Sequence, residues 1–76
     1  MKTIAAILAE IRPEYDFESA GDFIAEGMLD SFDIVTLVAA LERNFCINIR
    51  GTDIVPENFQ TMRSIEKLLE TYGVRP

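Results

Sequence analysis

Ile34, Leu37, Val38, Leu41 and Phe45 recur at the i, i+3, i+4, i+7 spacing of one helix face. The stripe predicts a helix over about residues 31–44, buried along one side. A chain of 76 residues has room for one small core, so every other element has to face this helix. Two further stretches meet that demand. Ile4, Ile7, Leu8 and Ile11 mark a first helix over about residues 3–12, with Thr3 as its cap and Pro13 as its stop. Met62, Ile65, Leu68, Leu69 and Tyr72 mark a last helix that Thr61 caps and Gly73 ends. Between them Pro56, Glu57, Asn58 and Phe59 read as one helical turn opened by proline at its first position. The expected fold is an all-α bundle of three long helices and one short one, in a single domain over residues 1–76.

No period holds over residues 13–29, which makes a connection longer than most in compact domains. Tyr15, Phe17, Phe23 and Ile24 are the side chains to pack it, with Phe23 and Met28 pinning it to the core. A calcium loop is the rival reading, because Asp16, Glu18 and Asp22 fall at the first, third and seventh places of an EF-hand with Gly21 at the sixth. That count fails at the fifth and twelfth places, held by Ala20 and Gly27, so the closing bidentate carboxylate is missing. Beyond the long helix, residues 45–49 alternate in apolar character without a partner strand. They read as an extended connection whose Ile47 and Ile49 enter the core, ending at Gly51.

Composition removes several function classes. With no His and a single Cys, thiolate or imidazole metal sites and His-based catalytic triads are excluded, as is an internal disulfide. Cys46 is expected to be a small buried apolar residue in a reducing, cytoplasmic setting. No segment is long enough to span a membrane, and residues 4–9 are too short and too amphipathic for a signal peptide. The net charge of −6 argues against nucleic acid. Its distribution is uneven: from Glu10 to Asp33 there are eight acids and one base, Arg12, whereas residues 34–76 balance. Such an acidic segment can steer a basic partner.

That segment runs into Asp30-Ser31-Phe32 at the start of the long helix. Asp30 is a strong N-cap type, which puts Ser31 at the first helical position, where backbone N–H groups and the positive end of the macrodipole favour an attached anion. A plain helix cap has the same dipeptide and carries no chemistry. The wider stretch from Glu26 to Val35 resembles the prosthetic-group site of acyl carrier proteins, with Phe32 in the place where leucine is common, as in some stand-alone and D-alanyl carriers. The resemblance extends over residues 37–42 with Phe45 and Ile49, and over residues 56–59 with Thr61. Arg43 and Asn44, where fatty-acid carriers continue an acidic run, and Arg50, where many have proline, depart from it.

What the resemblance implies is a four-helix acyl-carrier bundle with a long first loop, and a 4′-phosphopantetheine arm on Ser31. A phosphopantetheinyl transferase (holo-ACP synthase) would attach the arm from coenzyme A, with Asp30 helping to bind its magnesium ion. The arm would hold an acyl group as a thioester for acyltransferases or synthases of acyl, polyketide or related biosynthesis. The carrier itself needs no catalytic residues, and a monomer is expected. Asp-Ser-Phe also fits an aminoacyl or peptidyl carrier loaded by an adenylating enzyme. An unmodified helical interaction module is the alternative of a different class.

For partners the second helix offers the face of Phe32, Val35, Thr36, Ala39 and Arg43, with Asp33 and Glu42 as flanking acids. Phe32 covering the end of the bundle is the competing reading of that aromatic.

Overall fold

The computed structural model describes residues 3–74. It holds three α-helices, α1 (Ile4–Ile11), α2 (Ser31–Phe45) and α3 (Met62–Glu70), with 3-10 turns at Gly51–Asp53 and Pro56–Asn58. No strand occurs among the described residues. The short fourth helix expected at residue 56 is a single 3-10 turn, and the turn at Gly51–Asp53 was not expected.

Each helix starts where a side-chain oxygen takes up one of the N–H groups that open a helix. Thr3 accepts from the Ala6 N–H at 3.1 Å and Thr61 from the Ser64 N–H at 3.0 Å. The turn that follows α3 closes at Gly73, whose φ of +83° is free to glycine, and the Val74 N–H returns to the Leu69 carbonyl at 3.0 Å. Ile4, Ile7 and Leu8 of α1, Ile34, Leu37, Val38 and Leu41 of α2, and Ile65, Leu68 and Leu69 of α3 share one core.

The long connection before α2 reaches into that core. Phe17 and Phe23 are buried and meet edge to face with ring centres 5.0 Å apart. Phe23 is also a backbone hub. Its N–H donates to the Gln60 carbonyl at 2.6 Å, and its carbonyl accepts from the N–H groups of Met28 and Leu29 at 2.8 and 3.1 Å. This brings buried Met28 and Leu29 under the start of α2. Tyr15, expected to pack, lies outside as an exposed edge-on neighbour of Phe17. The carboxylates of Asp16 and Asp22 turn back onto their own loop, taking N–H groups of Glu18 and of Ile24 and Ala25. Among the described residues no group of three or more metal-ligating side chains converges.

Cys46 corrects the sequence reading. It is exposed, because it occupies the left-handed residue that ends α2, with φ 56° and ψ 48°. A residue there turns the chain out of the helix and points its side chain away from the core. Ile49 is buried and Ile47 half-buried. Glu42 secures this exit by accepting the Ile49 N–H at 2.9 Å. A latch then ties residues 50–53 to the end of α3: the Tyr72 hydroxyl donates to Asp53 Oδ2 at 2.6 Å and accepts the Arg50 N–H at 2.9 Å.

Candidate functional site

The mouth of α2 is built by a reciprocal cap. Asp30 is extended, with φ −104° and ψ −177°, and its Oδ1 accepts the Asp33 N–H at 2.8 Å. Asp33 Oδ2 in return accepts the Asp30 N–H at 3.2 Å. This is a capping box with aspartate where glutamate or glutamine is usual. The Ile34 N–H bonds the Asp30 carbonyl at 3.0 Å and closes the first turn. With the Asp33 and Ile34 groups taken, the N–H groups of Ser31 and Phe32 are those that open the helix without a carbonyl one turn back. Ser31 is the first residue of α2 and exposed.

Arg12, the residue just after α1, completes the mouth. Its Nε and Nη2 lie 3.0 and 2.9 Å from Asp33 Oδ2, and Nη2 is 3.6 Å from Asp30 Oδ2. Asp33 is 7% exposed, and burial alone would push its carboxyl pKa up. The Arg12 guanidinium and the Asp30 N–H outweigh that burial and hold Asp33 below the ordinary aspartate range. The guanidinium in turn is held above its own ordinary value, first by the Asp33 hydrogen bond and then by the Asp33 charge.

Two flanking acids of the expected partner surface therefore have other places. Asp33 is buried in the box against Arg12, and turns inward because that oxygen serves three donors at once. Glu42 is half-buried and committed to the Ile49 N–H. The apolar members do face outward. Phe32 is 78% exposed and Val35 66%, so Phe32 covers little of the bundle's end. Thr36, Ala39 and Arg43 are exposed on the same face. A shallow groove of about 700 Å³ runs along it between α1 and α2, lined by Ile7, Ile11, Phe32, Thr36, Ala39 and Arg43 among others. The residue that sequence reasoning missed is Arg12. Its signal was charge context, as the one base among the eight acids between Glu10 and Asp33.

Among curated proteins the chain is similar to aminoacyl carrier protein 1 of Bradyrhizobium diazoefficiens. The two are 30% identical over 66 residues, which make up 87% of this chain and 66% of that protein. The chain thus spans just under two thirds of the relative it matches. No protein-family profile matches the chain, and no solved structure matches it significantly. The likeness supports a carrier-protein family, and a carrier is not a catalyst.

Proposed function

We propose that this chain is a carrier protein whose Ser31 hydroxyl takes up a 4′-phosphopantetheine arm. The observation that carries the reading is an exposed serine at the first position of α2, behind an intact capping box. The site suits the arm's phosphodiester. The open N–H groups of Ser31 and Phe32 and the positive end of α2 both favour an anion there. When attached, the arm supplies a terminal thiol that holds the load as a thioester. The chain's own part is to present the Ser31 oxygen to a phosphopantetheinyl transferase. Asp30 keeps Oδ1 on the Asp33 N–H, and its Oδ2, which stands 3.6 Å from Arg12 Nη2, is the oxygen that turns to the transferase's magnesium ion.

Incubation with coenzyme A, magnesium and a broad-specificity transferase, read by intact mass, tests this. The protein gains one arm, and Ser31→Ala gains none while its helical spectrum is unchanged. A Ser31→Ala protein that still gains the arm, or a wild-type protein that gains nothing, overturns the assignment.

Within the carrier class an aminoacyl load, activated by an adenylating enzyme, has the better support, with an acyl load as the alternative. The similar protein is named an aminoacyl carrier. The outward face of α2 also presents Phe32, Val35 and Ala39, with Arg43 as its charge and no acid. On this reading the loading enzyme binds an apolar patch beside Ser31, and the acidic loop acts mainly on encounter. Loss of a buried aromatic anchor typically costs about 2 kcal/mol or more in binding. Phe32→Ala is therefore expected to impair loading well beyond Glu18→Gln or Asp22→Asn at equal fold stability. Steady-state loading at low and high salt checks it, and normal loading of Phe32→Ala would make recognition electrostatic. A cytoplasmic monomer is part of the same proposal.

A further inference from the structure

We propose that Arg12 is a positioning residue for group transfer to Ser31, acting through the Asp30 and Asp33 carboxylates; the inference rests on Ser31 being the attachment point. In that transfer Ser31 Oγ bonds to the phosphorus that bears pantetheine in coenzyme A. The pyrophosphate linkage breaks, adenosine bisphosphate leaves, and the hydroxyl proton passes to a base of the transferase. The oxygen of Ser31 has to be presented in line with the bond that breaks. Small misplacements at such a step are expensive, on the order of a hundredfold for about 1 Å.

What fixes that oxygen's backbone is the box on either side of it, Asp30 before and Asp33 after. The box contains two carboxylates within a segment of net charge −7 between Glu10 and Asp33, so it is a place where one acid would ordinarily protonate or swing into water. Arg12 prevents both. One guanidinium reaches Asp33 Oδ2 through Nε at 3.0 Å and Nη2 at 2.9 Å, and the same Nη2 stands 3.6 Å from Asp30 Oδ2. Asp33 Oδ2 is also the acceptor for the Asp30 N–H at 3.2 Å. Removing Arg12 leaves Asp33, 7% exposed, as a buried anion without its cation. Its escape to solvent would release the Asp30 N–H and loosen the turn that carries Ser31. Arg12 also ties the end of α1 to the mouth of α2, two elements whose apolar faces share one core. It need not touch coenzyme A to do this.

Four apo proteins separate a positioning role from a merely stabilising one: wild type, Arg12→Gln, Arg63→Gln and Arg12→Gln/Asp33→Asn. Conversion with coenzyme A and transferase is followed by intact mass, at a temperature where circular dichroism shows each fully folded. Arg63 is an exposed arginine of α3, so its variant matches the change in net charge. For Arg12→Gln we expect kcat to fall about tenfold or more with KM for the carrier little changed, and for Arg63→Gln near-normal kinetics. The double variant replaces the ion pair with neutral amides that can still accept the Asp30 N–H, and its kcat should recover most of the loss. Should Arg12→Gln fail to fold, the double variant against wild type carries the test through the NMR hydrogen-exchange protection of the residue 30 and residue 33 amides, whose N–H groups close the box. A box kept intact with near-normal kcat supports the proposal, whereas a disordered box with normal kcat overturns it. Wild-type kcat in folded Arg12→Gln, or no recovery in the double variant, likewise overturns the positioning role and leaves the Ser31 assignment standing. No mass gain in wild type removes both.

Discussion

At its mouth α2 is fastened by a buried, ionised carboxylate, Asp33, held between the Asp30 N–H and the Arg12 guanidinium. At its tail the fastening is of another kind. There Cys46 turns the chain in the left-handed region, Glu42 takes the Ile49 N–H, and a phenol hydroxyl, Tyr72, joins Asp53 to the Arg50 backbone. At the tail the cation lies outside, Arg50 at 70% side-chain exposure against a half-buried Asp53 at 30%, and a pair so open to water contributes little to stability. The difference separates two tasks. A buried charge is a costly way to stabilise a helix end, but its directional bonds fix one geometry beside Ser31. The tail needs only to be closed.

The comparison breaks first at Asp33. Asp33→Ala removes three donors' acceptor at once, and hydrogen bonds to a charged group are each worth about 1.5–3 kcal/mol, so the variant should lose on that order in urea unfolding near neutral pH. The loss has a pH signature. The folded Asp33 pKa is depressed, so its stabilisation is present above the unfolded value of about 3.9 and disappears as pH falls through the folded value. Stability of wild type minus Asp33→Ala should therefore be flat near neutrality and shrink below about pH 4. A gap independent of pH would mean that Asp33 is held by packing alone. Next comes the tail, where Tyr72→Phe deletes one hydroxyl with two partners and should cost about 1 kcal/mol. The two variants sharpen the division of tasks when assayed together. Tyr72→Phe should leave the rate of arm transfer to Ser31 untouched, and a slowed transfer would show that the tail shapes the mouth as well.

The sequence was most legible where a physical signal is local. Apolar spacing and the caps Thr3, Asp30 and Thr61 placed all three helices to within a residue or two of their ends. Phe23 and Met28 were readable as the loop's anchors because they are large apolar residues in an acidic stretch. The Arg12 contact was not, since it joins residues 21 apart and nothing periodic records which acid a lone base selects. For the same reason Asp33 and Glu42 read as surface acids, although each has a committed partner in the fold. Face assignment by helix angle gave Phe32 and Val35 correctly outward, but could not say which polar residues at the edge of that face are pulled in.

Cys46 gives the smallest effect and the cleanest separation of tail from mouth. A side chain at φ 56° and ψ 48° sits in the left-handed region, where Cβ crowding costs a non-glycine residue about 1–2 kcal/mol. Glycine avoids that crowding and is the usual residue after a helix. It also loses more backbone freedom on folding, about 0.4–1 kcal/mol relative to a residue with a side chain, which offsets part of the gain. Because Cys46 is exposed, no core contact is lost in the exchange. Cys46→Gly should therefore stabilise the protein by a few tenths of a kcal/mol up to about 1 kcal/mol, read as a higher urea midpoint at unchanged slope. Arm transfer to Ser31 should proceed at the wild-type rate. Clear destabilisation would instead mean that the thiol packs against the chain, and the tail would then be held by a side-chain contact in addition to its turn.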